Sequence, residues 1–255
     1  MITIVYVDGF NLYYRALKGT PYKWLDILAL SKQLIPVNHV VDKVKYFTAR
    51  VSGAKDPTSP QRQQIYLSAL KTFHDIEIHY GSFLSKSMWR PIITLPVAGE
   101  TISSAICAPT IIPQGVHDVT GTRGQQLVVG SYPVPGQRAP RARRAIPDAV
   151  LAEVHAMEEK GSDVNLAAHL LNDAWKNAFD AAVVISNDTD LIEPIRMVTT
   201  ERNKVVFVAC PGNHAMAPKL ANVATYQRHI RPAMLASSQL LSPIPSTTIR
   251  KPATW

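Results

Sequence analysis

Four aspartates stand where a folded chain can gather carboxylates around a divalent cation. Asp8 ends an apolar run at the start of the chain, Asp163 opens a helix-like segment, and Asp188 and Asp190 follow a second apolar run. Carboxylate oxygens are the ligands that Mg²⁺ and similar hard cations prefer in proteins. A cation held in this way can assist phosphodiester hydrolysis, so these residues predict a metal-dependent hydrolase.

The segments around these aspartates alternate between strand-like and helix-like patterns. Runs of β-branched and apolar residues predict strands at residues 2–7, 43–49, 76–80, 181–186 and 205–208. Apolar residues at helical spacing predict helices near residues 12–17, 24–34, 60–73, 163–176, 191–200 and 214–224. Strand, helix and strand recur in order, which is typical of a parallel sheet covered by helices on both faces.

Two of the aspartates come directly after predicted strands. In a doubly wound sheet the functional groups lie beyond the carboxyl ends of the strands, where we expect Asp8 and Asp188. Taken alone, each acid has a structural explanation, since Asp8 can form a turn with Gly9 and Asp163 can favour a helix start. Their convergence favours a cation site, because carboxylates from distant segments repel each other unless a cation compensates their charge.

Composition fits one elaborated domain with a polyanionic partner. The chain has 255 residues, 46% of them hydrophobic, and a formal net charge of +8, which favours nucleic acid through counterion release. No apolar run approaches the length of a membrane helix, and residues 2–7 lack a basic leader, so we expect a cytoplasmic protein. Cys107 and Cys210 are the only cysteines, which argues against a disulfide framework or a cysteine zinc site.

One long segment interrupts the alternation of strands and helices. Residues 91–137 contain only three charged residues, together with six prolines and six glycines. This composition favours an inserted small β subdomain, at about residues 86–145, over a mobile flap. A run of arginines follows, which is either a phosphate-contacting arm or a solvated linker. Its members are Arg138, Arg141, Arg143 and Arg144.

The main domain is expected to span residues 1–232, followed by an extended tail at 233–255. Prolines at 243, 245 and 252 deny the segment from Pro232 onward continuous secondary structure. The favoured role of Trp255 is packing on the body of the domain, with an oligomer contact or base stacking as alternatives.

Four motifs in this order resemble the NYN domain family, a bacterial branch of the PIN-like nucleases. They are VDGFNLYY, YFTARV with RQQIYLSAL, EEKGSDVNLAAHLLNDA, and DAAVVISNDTDLIEPI. The resemblance covers most of residues 1–90 and 146–232 and the ending KPATW. It implies a three-layer α/β/α fold with a mainly parallel sheet. It also implies an acidic site that cleaves RNA with Mg²⁺ or Mn²⁺.

By motif, the acidic site of the family falls on the same four aspartates. We expect Asp8 and Asp188 to be primary metal ligands, and Asp163 and Asp190 to be second-site or water-mediated ligands. The metal is expected to activate a water molecule, so no side-chain nucleophile is required.

Polar residues beside the aspartates are expected to support the substrate. Asn11 is expected to align a water or a phosphate, and Ser186 and Asn187 to give hydrogen bonds at the strand end. The family commonly carries glycine at the position of Asn187, so the loop geometry is expected to differ while the carboxylates are retained.

Cations and aromatic rings near the motifs are candidates for substrate contacts. The candidate phosphate-binding cations, each equally able to be a plain surface charge, are Arg15, Arg50, Arg62 and Lys160. Of Tyr13 and Tyr14, we expect one ring in the core and the other near the cleft, where it can stack on a base. His169 is expected to be structural.

Other functions stay open at this level. A non-catalytic RNA-binding or assembly module is the main alternative to an endoribonuclease, and the presence of all four acids argues against it. A Rossmann-like phosphatase needs a second acid two residues after Asp8, where Phe10 stands. A dinucleotide-binding enzyme needs G-x-G-x-x-G after the first strand, which the chain lacks there. The sequence does not choose between single-stranded and structured RNA, and a homo-oligomer through the apolar insertion is a further alternative.

Overall fold

The computed structural model of the protein describes residues 1–53, 56–91, 110–111, 118–120, 126–128, 150–213 and 215–255. The chain divides into two compact units. The first unit contains Met1–Phe83 and Glu159–Trp255, and the second contains Leu84–Glu158. The candidate site presented below lies entirely in the first unit.

The elements of both units follow in chain order. The strands are β1 Ile2–Asp8, β2 Val40–Thr48, β3 Ile76–Tyr80, β4 Ser82–Pro91, β5 Thr110–Ile111, β6 Asp118–Thr120, β7 Gln126–Val128, β8 Val150–Lys160, β9 Ala181–Ile185, β10 Val205–Pro211 and β11 Tyr226–Ile230. The helices are α1 Gly9–Leu12, continued by a π-helical turn Tyr13–Leu17, then α2 Ile27–Leu34, α3 Ser59–Leu70, α4 Ser162–Trp175, α5 Ile192–Thr200, α6 Pro218–Val223 and α7 Pro232–Ser237.

A six-stranded parallel sheet forms the centre of the first unit, in the order β11-β10-β9-β1-β2-β3. Successive side chains of a strand point to opposite faces, and helices cover both faces of this sheet. Val5 packs in one core with Leu30 of α2, while Ile4 packs in the other with Leu170 of α4. This confirms the predicted α/β fold with a mainly parallel sheet. Among the described helices, none is long and apolar enough to cross a membrane.

Capping side chains move two helix starts away from their predicted positions. The helix predicted at 24–34 begins at Ile27, because the Asp26 carboxylate accepts the backbone N–H of Ala29 at 2.9 Å. The first helix begins at Gly9 instead of residue 12, since the Asp8 carboxylate caps it. The capping therefore places Asp8 at the junction of β1 and α1.

The end of the chain differs from the predicted extended tail. Helix α7, Pro232–Ser237, occupies its first residues, because a proline is compatible with the first turn of a helix, where its missing N–H is not needed. Strand β11 before it was not predicted either. The ring of Trp255 contacts Trp24 and Tyr66 edge-on, with centroids 5.7 and 5.5 Å apart, which agrees with the favoured packing role.

The second unit is described through its strands. A three-stranded sheet has the order β4-β8-β5, and β6 and β7 form a separate antiparallel pair. The long strand β8 was not predicted, and the compact unit is wider than the predicted insertion at about 86–145. Cys107 and the arginine run, Arg138, Arg141, Arg143 and Arg144, lie outside the described residues.

Candidate metal centre

Asp8 lies at the carboxyl end of the central strand β1, and only 4% of its surface is exposed. Its Oδ1 accepts the backbone N–H of Asn11 at 2.9 Å, and its Oδ2 accepts the Ser186 hydroxyl at 2.9 Å. Hydrogen bonds from these two groups fix the carboxylate in one orientation. The last residue of β1 is therefore a pre-oriented, largely buried anion.

Gly9 permits the start of α1 to approach β2 closely, directly after Asp8. A Cβ atom at this position would lie 2.7 Å from the Phe47 carbonyl oxygen and 2.8 Å from the Tyr46 hydroxyl. Such distances are far inside van der Waals contact, so a larger residue would push α1 away from β2. Burial, together with the negative charge of Asp8, raises the pKa of the Tyr46 hydroxyl above its ordinary value.

The loop after β9 brings Asp188 to the same edge of the sheet. The Ser186 hydroxyl, which donates to Asp8, also accepts the backbone N–H of Asp188 at 3.1 Å. The Asp188 carboxylate accepts the N–H of Asp190 at 3.0 Å and caps the short 3₁₀ helix Thr189–Leu191. One buried hydroxyl thus connects the two residues predicted to be primary ligands.

Asn187 fixes this loop through both ends of its side-chain amide. Its Oδ1 accepts the N–H of Ala217 at 2.8 Å, and its Nδ2 donates to the Ala215 carbonyl at 3.1 Å. Its own backbone N–H donates to the Asn11 Oδ1 at 3.1 Å. The two side-chain bonds hold the loop against the segment before α6, a role that glycine at this position cannot perform.

Asp163 in the first turn of α4 completes an acidic group with Asp8 and Asp188. Each residue offers a carboxylate oxygen, and these oxygens all lie within 4.8 Å of one another. Oxygens on opposite sides of one Mg²⁺ lie about 4.2 Å apart, so small side-chain rotations would bring all three onto one ion. Like charges at this separation repel, and a divalent cation would remove the repulsion. We call Asp8, Asp163 and Asp188 the carboxylate triad. This set of donors fits a hard divalent cation.

Asp190 does not join the carboxylate triad. In the part of the chain that the structure describes, only Asp8, Asp163 and Asp188 form such a group. Asp190 is exposed on the 3₁₀ helix. Its assignment as a second-site or water-mediated ligand stays a prediction.

The four predicted phosphate-binding cations have different surroundings. Arg15, Arg50 and Lys160 are exposed, and the Arg50 guanidinium lies 5.4 Å from the centre of the Tyr80 ring. Arg62 is half-buried and pairs with Asp56 and the Thr58 hydroxyl. Hydrogen bonds from Arg62 and then Thr58 lower the pKa of Asp56 to about 2. The Arg62 guanidinium is therefore already engaged within the protein.

The two tyrosines of the first helix divide as expected. Tyr13 packs against the core, whereas Tyr14 is 59% exposed. His169 is a half-buried residue of α4, with its ring centre 4.1 Å from that of His79 and 5.5 Å from that of Phe47. These ring contacts agree with the structural role predicted for His169.

Sequence reasoning missed an aromatic group beside the carboxylate triad. Phe10 and Tyr14 are stacked with ring centres 6.3 Å apart, and Phe83 meets Phe10 edge-on at 5.5 Å. The four-residue spacing of Phe10 and Tyr14 on a helix is a signal for the first contact. The contact with Phe83 joins distant segments, and no local pattern indicates it.

The fold and the carboxylate triad define a class: a parallel α/β protein with an acidic cluster at the carboxyl edge of its sheet. The family model for the NYN domain matches residues 134–231. The 6-hydroxy-3-succinoylpyridine 3-monooxygenase HspA of Pseudomonas putida (strain DSM 28022 / S16) is 30% identical over 278 aligned positions, which cover 99% of this chain and 75% of that protein. The chain belongs to the NYN domain family.

A solved structure was also found. The crystal structure of a protein of unknown function, VPA0982 from Vibrio parahaemolyticus RIMD 2210633, has a TM-score of 0.44 and 14% sequence identity, and the alignment covers 91% of this chain and 93% of that one. The NYN match contains Asp163 and Asp188 but not Asp8, whose membership of the triad rests on the geometry.

Proposed function

We propose that the protein is a divalent-metal-dependent ribonuclease that hydrolyses RNA phosphodiester bonds at the carboxylate triad. The observation that carries this proposal is the convergence of Asp8, Asp163 and Asp188, from three separate segments, within 4.8 Å. Membership of a nuclease-like family and the net charge of +8 support it.

The triad would hold Mg²⁺ or Mn²⁺. When bound, the cation supplies charge that polarises phosphoryl oxygens and makes water a better nucleophile near neutral pH. Asp8 and Asp188 are the primary ligands in this proposal, and Asp163 adds a third carboxylate. Ser186 keeps the first two in register by bonding to both of them.

Asn11 has a free donor for the reacting groups. Its Oδ1 accepts the N–H of Asn187, and no partner for its Nδ2 lies among the residues that the structure describes. We assign this Nδ2 the task of orienting a water or a phosphate oxygen. Asn187 acts indirectly, since its amide is occupied in fixing the loop.

Exposed cations would contact the rest of the RNA backbone. Arg50 follows β2, the neighbour of β1, and therefore lies at the edge where the triad is found. Arg15 and Lys160 are exposed, and we assign them further contacts with phosphates. Arg62 would first have to exchange its bonds to Asp56 for bonds to a phosphate.

A cleavage assay tests the proposal. Labelled RNA is incubated with the wild-type protein in Mg²⁺, Mn²⁺ or a chelator, beside an Asp8→Asn/Asp188→Asn double variant. Asp42→Asn is the matched control, because Asp42 is an exposed acid near the opposite end of β2. We expect metal-dependent cleavage by the wild type and the control and none by the double variant. RNA binding without cleavage in any metal would instead support a non-catalytic binding module.

Monooxygenation is a second candidate, favoured by the name of the 30% identical relative. This reaction inserts one oxygen atom of O₂ into the substrate and reduces the other to water, so it needs a two-electron donor. The test supplies 6-hydroxy-3-succinoylpyridine, O₂ and a reduced nicotinamide, and measures hydroxylated product by mass spectrometry. Product formation by the double variant would show that the monooxygenase activity does not depend on the carboxylate triad.

A further inference from the structure

The aromatic group beside the carboxylate triad has an exposed ring. Tyr14 is 59% exposed, although it is stacked on Phe10 with an angle of 20° between the ring planes. Phe83 also contacts Phe10, edge-on, with ring planes at 83°. We call Phe10, Tyr14 and Phe83 the aromatic shelf.

The shelf lies at the same edge of the sheet as the triad. Phe10 is two residues after Asp8, so their Cα atoms are at most about 7.6 Å apart. Phe83 comes three residues after the end of β3, and β3 and β1 are separated only by β2. Phe10 and Phe83 therefore come shortly after the carboxyl ends of β1 and β3, and Asp8 is the last residue of β1.

Cations border the exposed ring. The Lys18 ammonium lies over the Tyr14 ring, 5.1 Å from its centre, so a base that stacks on this face would take the place of the ammonium. Arg15 beside Tyr14 is also exposed. The ring of Tyr13 meets Tyr14 edge-on at 5.3 Å, which limits its movement. A rigid aromatic face next to positive charge matches the two halves of a nucleotide, a flat base and an anionic phosphate.

We propose that the aromatic shelf and Lys18 form a stacking subsite for an unpaired base of single-stranded RNA, with the neighbouring backbone directed toward the triad. This inference rests on the proposed function. In a duplex both faces of each base are covered by neighbouring bases, so a shelf of this kind selects single strands. Tyr14 supplies the face, Phe10 and Phe83 hold it in place, and Lys18 contacts the phosphate.

Binding measured with a chelator present tests the subsite without any cleavage. A fluorescein-labelled single-stranded RNA and the corresponding duplex are titrated with protein and followed by anisotropy. We expect Tyr14→Ala to weaken single-strand binding about 5- to 100-fold, with duplex binding unchanged. Tyr14→Phe keeps the ring and is expected to bind as the wild type does.

Tyr226→Ala is the matched control, because Tyr226 is half-exposed like Tyr14 but begins β11 at the opposite end of the sheet. It is expected to bind as the wild type does. Lys18→Gln is expected to reduce the slope of log K against log salt concentration by about one unit, as for the loss of one phosphate contact. The subsite would be contradicted if Tyr14→Ala and Tyr226→Ala bound single-stranded RNA with equal affinity. It would also be contradicted if the wild type bound no single-stranded RNA.

The two proposals fail in different ways. Single-strand binding that depends on Tyr14, without metal-dependent cleavage, would contradict the proposed nuclease activity and support the stacking subsite. Metal-dependent cleavage together with RNA binding that does not depend on Tyr14 would support the proposed nuclease activity and contradict the stacking subsite.

Discussion

The Ser186 hydroxyl donates a 2.9 Å hydrogen bond to the Asp8 carboxylate and so joins the ends of β1 and β9. Both residues are buried, and the same hydroxyl accepts the N–H of Asp188. The positions of two triad members therefore depend on one side chain that cannot itself be a strong metal ligand.

Ser186→Ala should lower both stability and metal affinity. The substitution leaves a buried carboxylate oxygen without this donor, which costs about 1–3 kcal/mol of unfolding free energy. Loss of orientation is expected to weaken Mn²⁺ binding about 10- to 100-fold. Urea unfolding and calorimetric titration measure the two effects. Ser237→Ala, at an exposed serine, is the control, and equal behaviour of both variants would show that the Ser186 bond has no such role.

Asn187→Gly should loosen the loop that carries Asp188. It removes the two amide bonds to Ala215 and Ala217. Each bond contributes about 1 kcal/mol and glycine adds chain entropy, so we expect a loss of about 2–3 kcal/mol. Chemical unfolding measures it, with Asn213→Gly at an exposed position as the control. An unchanged midpoint would mean that the loop is fixed by other contacts.

Stability should fall as the pH drops below about 6.5. Burial lowers the pKa of both His79 and His169, with a smaller contribution from a neighbouring cation in each case, His169 for His79 and Lys45 for His169. The unfolded chain, with ordinary imidazole pKa values near 6.5, then binds more protons than the folded protein. The stabilisation is therefore present above pH of about 6.5 and is lost as the pH falls toward the lowered values.

Unfolding free energies between pH 5 and 8 check this prediction. His169→Gln is expected to flatten the pH dependence, whereas His229→Gln, at an exposed histidine, is expected to leave it unchanged. A profile that is the same in all three proteins would contradict the assignment to His79 and His169.

The central strands were predictable because they are buried on both faces. Residues 2–7 and 181–186 read as runs of β-branched and apolar residues, and the structure has the strands β1 and β9 there. Strand β11, with the sequence YQRHI, lies at the edge of the sheet and is mostly exposed, so it carries no apolar pattern. Helix α7 was missed because the prolines at 243, 245 and 252 were interpreted as denying the whole segment from Pro232 onward continuous secondary structure, although Pro232 itself is compatible with a helix start.

The triad was only partly predictable. Asp8 and Asp188 follow apolar strands, and topology places such residues at one edge. Asp163 was expected, like Asp190, to be a second-site or water-mediated ligand, but among the described residues only Asp163 joins Asp8 and Asp188 in the group. Asp188 caps the 3₁₀ helix whereas Asp190 lies within it, and the local sequence does not show which carboxylates meet. Phe83 was not predicted because its position depends on how β3 lies relative to β1.

A calorimetric Mn²⁺ titration of the wild type and of Asp188→Asn, with RNA cleavage measured in the same samples, tests the central claim most directly. Asparagine retains the capping of the 3₁₀ helix, so the fold should be kept while one charged ligand is lost. We expect Mn²⁺ binding to weaken at least tenfold and single-turnover cleavage to fall about 10³-fold. Mn²⁺ binding and cleavage that match those of the wild type would show that the carboxylate triad is not the catalytic metal site.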